Sequence, residues 1–539
     1  MTQYLLAAEA DKIQDFIFRS SRLREVVGGS QLLSRFCNEV PGRLQPDNTK
    51  MEVIINAGGS FRICFNDKDK ANRFGADLAE VYRRATGSSL TVAEPVEVID
   101  DFGKASEMAE DNLRKAKLWH AGWQSQEQIP YTAFCASCGV GLATTYTTYH
   151  KSEDKQYLCA SCLNKNAERK GREHPEELGP FLGAFFQEVI KEPERLAQAS
   201  WPGKEERNGR SKKDPTEDIA DYDPRRYVAY LLADGNAMGE VFGECKDPKK
   251  MHELSKGLTQ AMHQALAVPT KEIMDNIMEN TPSSDLFIPV LPLILGGDDL
   301  FALIPAPWAL DFAQSFCQVY ESEMDKLVKR LDLIVPRPTI SAAVVICKSK
   351  HPYKLAHEAG GARLKDAKRT SKRINLEKKE SYSAINFEVV LGGRLVSAPP
   401  IGDFRPTLRP YWVTNNEVDD CGLSIKRLIE QRWKLRDIPN KRLSELQSLY
   451  DTSLDNDEIE PWKSQLDRLL LRINQRNEDQ GGKIETALKS LGDSNSPYWR
   501  EVSRYPDPAW YGHGLPDLLE AWDFALKLDT DRNAYEVNR

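Results

Sequence analysis

The stretch LPLILGGDDLFALI, residues 291–304, determines the fold that we expect for this chain. Two apolar runs flank Gly-Gly-Asp-Asp, a pattern that predicts two β-strands joined by a tight hairpin turn. Upstream, YVAYLLADGNAMGEVF (227–242) predicts a buried strand that ends near Asp234 and leads into an amphipathic segment. These two segments supply the first strand, the start of a helical crossover and the central hairpin of one domain.

The sequence after the hairpin completes this domain. Helical periodicity over 308–331, a strand over 339–347 and a second helical stretch over 353–368 follow in turn. The resulting order β-α-β-β-α-β is that of a ferredoxin-like, palm-type domain. We assign this palm domain to residues 225–400.

An earlier part of the chain repeats the same order of elements, as internal repeats do. YLLAAEADKIQDFIF (4–18) resembles the first strand and the amphipathic segment, and EVIINAGGSFRICF (52–65) resembles the Gly-Gly hairpin. The repeat predicts a first palm domain at residues 1–134.

The first palm domain lacks the carboxylates of the second. Aligning YLLAA with YLLAD sets Ala8 opposite Asp234, and aligning AGGS with LGGD sets Ser60 opposite Asp298. Glu9 lies one residue from the aligned position. We therefore expect a degenerate domain without catalytic metal, which is either structural or lines a second nucleotide site with Gly58, Gly59 and Ser60.

Composition limits the class of protein. A chain of 539 residues with 40% hydrophobic and 29% charged residues is expected to form several soluble domains. It has neither an apolar run of about 18 residues nor a secretory signal, which predicts a cytoplasmic protein that does not meet a membrane. The net charge of −8 argues against a general nucleic-acid coat, so any RNA contact must be local.

Four cysteines form two CxxC pairs, Cys135 with Cys138 and Cys159 with Cys162. This spacing predicts one structural Zn²⁺ held by four thiolates in a module at 135–162, with a redox dithiol as the alternative. Four protein ligands leave no open coordination position, so we assign this zinc no catalysis.

The rest of the chain is predicted to be mainly helical. Residues 163–224 form a helical or linker segment that includes the polar stretch SWPGKEERNGRSKKDPTED, and residues 401–539 show helical periodicity. The expected fold class is α+β, with two ferredoxin-like palm domains, the first degenerate, a four-cysteine zinc-binding insertion and a C-terminal helical domain.

The second palm domain offers a metal site. Neighbouring strand ends would bring Asp234, Asp298 and Asp299 together, and such oxygen ligands suit two Mg²⁺ or Mn²⁺ ions. Two ions can stabilise the attacking and leaving oxygens of a nucleotidyl transfer. Gly296 and Gly297 permit a tight turn and a close approach of nucleotide to backbone. The alternative is that GGDD is an ordinary hairpin turn.

The motifs ADGNAMG, LILGGDDLF, ISAAVVI and KDAK, with the N-terminal IQDFIFRSSRLREVVGGSQLLS, resemble the large cyclase-like subunit of type III CRISPR effector complexes. The resemblance covers about residues 1–400. It implies synthesis of cyclic oligoadenylate from ATP for antiviral defence, activated when target RNA pairs with the guide CRISPR RNA. It also implies partners in the backbone and small subunits of that ribonucleoprotein.

The resemblance assigns roles to single residues. Asp234 and Asp298 become metal ligands, and Asp299 becomes a third carboxylate at the metals. The nucleotide-binding positions are Gly235, Asn236, Gly296, Gly297, Ser341 and Lys368. Lys368 would contact the triphosphate, although it could instead be an ordinary helix-terminal cation. The cations that compete with it for this role are Arg363, Lys365, Arg369 and Lys372.

Two departures from the family pattern alter what we expect. Asn236 stands where the family usually has a second acidic residue, so we expect a lower metal affinity. No histidine of the sequence is followed by aspartate, and the first palm begins at Tyr4, so we expect no HD-type DNase activity.

Two other functions remain open. A non-catalytic scaffold subunit of the same ribonucleoprotein is disfavoured by the intact Asp234, Asp298 and Asp299 and slightly favoured by Asn236. A stand-alone dinucleotide cyclase would have little use for a degenerate palm and a long helical tail.

Overall fold

The computed structural model describes most of the chain. The described residues are 2–20, 22–46, 50–99, 101–120, 132–148, 154–169, 178–204, 214–280, 286–378, 382–390, 404–414, 422–450, 459–493, 498–502 and 509–529. None of the helices in these ranges combines the length and the hydropathy that crossing a membrane requires.

The first palm domain is a five-stranded antiparallel sheet with helices. Its elements are β1 (Gln3–Ala10), α1 (Ile13–Phe18), α2 (Leu23–Arg43), β2 (Met51–Ala57), β3 (Ser60–Phe65), α3 (Lys68–Thr86), β4 (Leu90–Val92), β5 (Val96–Val98) and α4 (Phe102–His120). The strand order is β2-β3-β1-β4, and β5 also pairs with β1. Local signals define α3, since Asp67 caps its first turn and Gly87 ends it at φ +69°.

The zinc-module hairpin and four helices connect the two palms. They are β6 (Thr145–Thr148), β7 (Lys155–Leu158), α5 (Ala160–Arg169), α6 (Gly179–Val189), α7 (Pro193–Gln198) and α8 (Pro215–Ala220). Helix α5 packs on α2 of the first palm, and α6 contacts α2. Helices α6, α7 and α8 lie within 163–224, the segment expected to be helical or a linker, and residues 170–177 and 205–213 of it lie outside the described residues.

The second palm domain has the predicted order of elements. They are β8 (Tyr227–Gly235), α9 (Met238–Gly243), α10 (Pro248–Asn280), β9 (Leu291–Gly296), β10 (Asp299–Pro305), α11 (Ala309–Arg330), β11 (Ile340–Lys348), α12 (Tyr353–Lys378) and β12 (Ser383–Val389). The sheet order is β14-β12-β11-β8-β10-β9. Strand β8 is buried for most of its length, as its continuous apolar run predicts for a central strand.

The C-terminal region is more mixed than predicted. Its elements are β13 (Phe404–Arg405), β14 (Tyr411–Val413), α13 (Ile425–Lys434), α14 (Asn440–Tyr450), α15 (Ile459–Arg476), α16 (Glu478–Leu491), β15 (Arg500–Val502), β16 (Trp510–Gly512) and α17 (Gly514–Glu520). Three of these strands form a small sheet of order β13-β16-β15, and β14 extends the second palm sheet. Strands of two or three residues are too short to produce a periodic pattern, so the prediction from helical periodicity missed them.

The two palms pack against each other through their hairpin tips. A Cβ on Gly58 would lie 3.6 Å from the Gly297 backbone nitrogen, so the two Gly-Gly turns are in contact. Phe18 and Phe301 meet edge to face with ring centroids 5.3 Å apart, and one hydrophobic core continues through both palms and the C-terminal region. The two sheet ends that carry the predicted sites therefore face one interface.

Candidate functional site

Asp234 lies at the end of the central strand of the second palm. It pairs directly with Asp299 of β10 on one side and with Ser341 of β11 on the other. Directly opposed residues of neighbouring strands point to the same face of a sheet, so these three side chains share one face. The prediction that the first strand and the hairpin are neighbours is confirmed.

Asp298 occupies the hairpin turn beside the strand end. Gly297 has φ +63°, a conformation that favours glycine, and Asp298 follows it. A Cβ on Gly235 would lie only 2.9 Å from the Asp298 Cβ, so a side chain at Gly235 would displace this carboxylate. Gly235 and Gly297 thus permit the close packing of the turn against the end of β8.

The three carboxylates interact electrostatically. Desolvation and the charge of Asp234 raise the pKa of Asp298. Desolvation, followed by the charges of Asp234 and Asp298, raises the pKa of Asp299 to about 7, although its side chain is open to solvent in the cleft. The charge of Lys368 acts in the opposite direction on the pKa of both groups. The site accumulates negative charge that a bound cation would relieve.

Lys368 supplies the positive charge at this site. Its Nζ forms an ion pair with Asp234 Oδ2. Of the competing cations, Arg363 is engaged by Glu388, with Nε 3.0 Å from Oε2. Among the basic residues of α12, Lys368 is therefore the residue that the structure pairs with Asp234.

Asn236 follows the last residue of β8, and its side chain is hydrogen-bonded within the protein. Its Nδ2 donates to Thr339 Oγ1 at 3.0 Å and to Ser371 Oγ at 3.2 Å, while its Oδ1 accepts from Ser341 Oγ at 2.9 Å. Ser341 is fully buried, so its predicted contact with nucleotide stays a prediction. Sequence reasoning missed Thr339 and Ser371, although Ser371 lies three residues after Lys368 on the same helix.

The donor set fits hard divalent cations. Asp234, Asp298 and Asp299 offer carboxylate oxygens of the kind that Mg²⁺ and Mn²⁺ prefer. Their oxygens do not all lie within 4.8 Å of one another, since within the described ranges only the four cysteines form such a group. A protein-bound Mg²⁺ usually keeps several waters and only one or two carboxylates, so such a site does not require a closed cage of protein ligands.

A cavity of about 930 Å³ adjoins the carboxylates at the palm interface. Asp299 and Gly296 of the second palm and Gly58 of the first line one part of it, and His252 and His263 of α10 line another. Burial lowers the pKa of His263 to about 4, so this ring is neutral at pH 7. The size of the cavity suits a small-molecule ligand.

The strand register corrects the alignment of the two palms. In the first palm Glu9 pairs with Ser60, and in the second Asp234 pairs with Asp299. Glu9, and not Ala8, therefore occupies the position of Asp234, and Ser60 corresponds to Asp299. The alignment erred by one residue because the turn residues are Gly58-Gly59 in one hairpin and Gly297-Asp298 in the other.

The first palm also carries a counterpart of the lysine. Lys117 of α4 forms an ion pair with Glu9, with Nζ 2.8 Å from Oε1. Glu9 also pairs with Thr91 of β4, as Asp234 pairs with Ser341. The first palm thus keeps one carboxylate and one lysine where the second has three carboxylates and one lysine.

The four predicted zinc ligands come together. Within the described residues, the Sγ atoms of Cys135, Cys138, Cys159 and Cys162 all lie within 4.8 Å of one another. The Gly141 N–H donates to Cys138 Sγ at 3.3 Å, and a Cβ on Gly141 would come within 3.0 Å of Cys159. Four converging thiols fit a tetrahedral zinc site.

The zinc module is attached to the first palm by a buried hydrogen bond. Ser137, between the first two cysteines, donates to Glu25 Oε2 at 2.5 Å.

Comparisons with known proteins agree with the architecture. Residues 227–376 match the family model described as Cas10/Cmr2, second palm domain. No curated protein matches the sequence. Among solved structures, Csm1 in T. onnurineus is similar with a TM-score of 0.50 and 15% identity, covering 98% of this chain and 70% of that chain.

Other similar structures are Csm1-Csm4 cassettes. The cassette in complex with cA4 has a TM-score of 0.42 and 17% identity, covering 71% of this chain and 54% of that chain. The cassette in complex with AMPPNP has a TM-score of 0.45 and 16% identity, covering 98% and 70%. The match with the cA4 complex thus spans about half the length of that chain. The family match thus shows that residues 227–376 of this chain are similar to the second palm domain of the Cas10/Cmr2 family.

Proposed function

We propose that this chain synthesises cyclic oligoadenylate from ATP by metal-dependent nucleotidyl transfer. In this proposal it acts as the large subunit of a type III CRISPR complex that target RNA activates. The observation that carries the proposal is the grouping of Asp234, Asp298 and Asp299 with Lys368 beside the interface cavity. The match of residues 227–376 to the Cas10/Cmr2 second palm domain supports it.

The carboxylates and the lysine have different roles at the phosphates. Asp234, Asp298 and Asp299 would hold two Mg²⁺ or Mn²⁺ ions, which stabilise the attacking and leaving oxygens of an in-line displacement when bound. Lys368 neutralises Asp234 in the free protein and contacts the triphosphate once nucleotide is bound. A lysine suits this role because its compact charge binds phosphate without a fixed geometry.

The first palm would bind the second nucleotide. Its Glu9 and Lys117 repeat the ion pair of Asp234 and Lys368, and its Gly58 turn contacts the hairpin of the second palm. A nucleotide on each palm would then approach the other across the interface. The first palm has one carboxylate, which is too few to hold two catalytic metal ions. Lys117 is therefore assigned to phosphate binding alone.

Labelled ATP tests the proposal in the assembled complex, with and without target RNA. The Asp298→Ala, Asp299→Ala double variant should assemble and bind RNA normally, while synthesis falls by orders of magnitude. Asp234→Ala should match it, and combining all three changes should add little, since the residues act as one unit.

The matched control is Asp325→Ala on α11, which removes a surface carboxylate paired with Lys329 and should leave synthesis unchanged. Wild-type synthesis by the double variant would refute the assignment and favour a scaffold subunit. Synthesis by the isolated chain without RNA would favour a stand-alone cyclase.

A further inference from the structure

We propose that Asn236 is a positioning residue, which fastens helix α12 to the end of β8 and so keeps Lys368 at the phosphates. This inference rests on the proposed function. It reverses the expectation from sequence, in which the amide is a weakened substitute for an acidic metal ligand.

The hydrogen bonds of Asn236 require an amide. Both Nδ2 hydrogens are used, one on Thr339 Oγ1 and one on Ser371 Oγ. The Ser371 hydroxyl donates its own hydrogen to the Tyr382 carbonyl at 2.7 Å, so towards residue 236 it can only accept. This direction fixes the orientation of the amide, with nitrogen towards Ser371 and oxygen towards Ser341.

The contact with Ser371 explains why this network matters for the site. Ser371 and Lys368 are three residues apart on α12, so they share one face of the helix. Asn236 therefore forms a hydrogen bond with α12 one turn away from Lys368, the residue that pairs with Asp234. The Asn236 N–H also donates to the Thr339 carbonyl at 2.8 Å, which joins the ends of β8 and β11.

A carboxylate at this position would break the network in two ways. An ionised aspartate has no hydrogen to donate, so its oxygen would face the Ser371 oxygen as a second acceptor. Asn236 follows Asp234 by two residues, just beyond the end of β8, so the new charge would also lie near Asp234 and compete with it for Lys368. Both effects withdraw Lys368 from the triphosphate.

Steady-state kinetics of the target-RNA-activated complex test this role with Asn236→Asp. We expect the KM for ATP to rise about tenfold, near the lower end of the effect of losing one hydrogen bond to a charged group, with a smaller effect on kcat. The Mg²⁺ concentration for half-maximal rate should not fall. Ser371→Ala should shift KM in the same direction, and the double variant should add little to the larger single effect.

The matched control is Asn72→Asp, the same chemical change on an exposed position of α3, which should leave KM unchanged. Asn236→Asp activity equal to or above wild type, or a lowered Mg²⁺ requirement, would overturn the inference and restore the metal-ligand explanation.

Hydrogen exchange separates this inference from the proposed function. In the isolated chain, Asn236→Asp should increase amide exchange in the part of α12 around Lys368, whether or not the complex makes product. If the wild-type complex made no product but Asn236→Asp still increased exchange in α12, the proposed function would be refuted. The role of Asn236 in holding α12 in place would remain supported. Unchanged exchange in α12 would overturn the positioning role itself.

Discussion

The substitution Asp299→Asn tests the carboxylate cluster without any measurement of activity. It removes one negative charge and keeps the size of the side chain. Because desolvation and the neighbouring charges raise the pKa of Asp299 to about 7, the ionised form destabilises the metal-free folded state. We therefore expect the variant to be more stable than wild type in EDTA at pH 8.

The pKa shift sets the size and pH range of this effect. An aspartate in an unfolded chain has a pKa of about 3.9, so the difference of about three units corresponds to at most ~4 kcal/mol. Exposure of the side chain in the cleft screens the charges, which leaves an expected gain of about 1–2 kcal/mol. The folded-state pKa is raised, so the cost is fully present above about pH 7 and disappears as the pH falls towards 4.

Thermal unfolding in EDTA between pH 8 and pH 5 measures the effect. For a unit of about 150–250 residues, the expected gain corresponds to a Tm increase of about 2–8 °C at pH 8, decreasing at lower pH. Millimolar Mg²⁺ should raise the Tm of wild type more than that of the variant. The control Asp325→Asn should show neither effect. An Asp299→Asn variant that is less stable than wild type at pH 8, or a gain independent of pH, would refute the reasoning.

Three further predictions concern the zinc module, the helix behind the site and the lysine. Cys135→Ser should lose the zinc that elemental analysis finds at about one per chain, with a lower Tm; a folded, metal-free wild type would contradict this. Gly360→Val should lower the free energy of unfolding by about 1–3 kcal/mol, because its Cβ would lie 2.3 Å from Leu232 Cδ1. The neighbouring Gly361→Ala meets open space and should stabilise α12 by up to about 1 kcal/mol. Denaturant titrations measure both changes. Lys368→Met should raise the KM for ATP and, in EDTA at pH 8, lower the Tm because Asp234 loses its counter-charge; an unchanged KM would exclude the phosphate contact.

The sequence alone determined the features that local patterns encode. The continuous apolar run of β8, the helical periodicity of α11 and α12 and the Gly-Gly-Asp-Asp turn predicted the second palm, because the geometry of each element sets its own pattern of burial. The two CxxC pairs predicted the thiol cluster that the structure brings together, since the spacing itself determines which thiols can meet.

Tertiary structure decided the features that depend on contacts between distant residues. It placed Glu9 at the position of Asp234, paired Lys368 of α12 with Asp234, and joined Asn236 to Ser371. It also placed the short C-terminal strands, which carry no periodicity of their own. Each of these features depends on strand register or on which side chains face one another after packing. Neither property can be predicted from the spacing of residues along one segment.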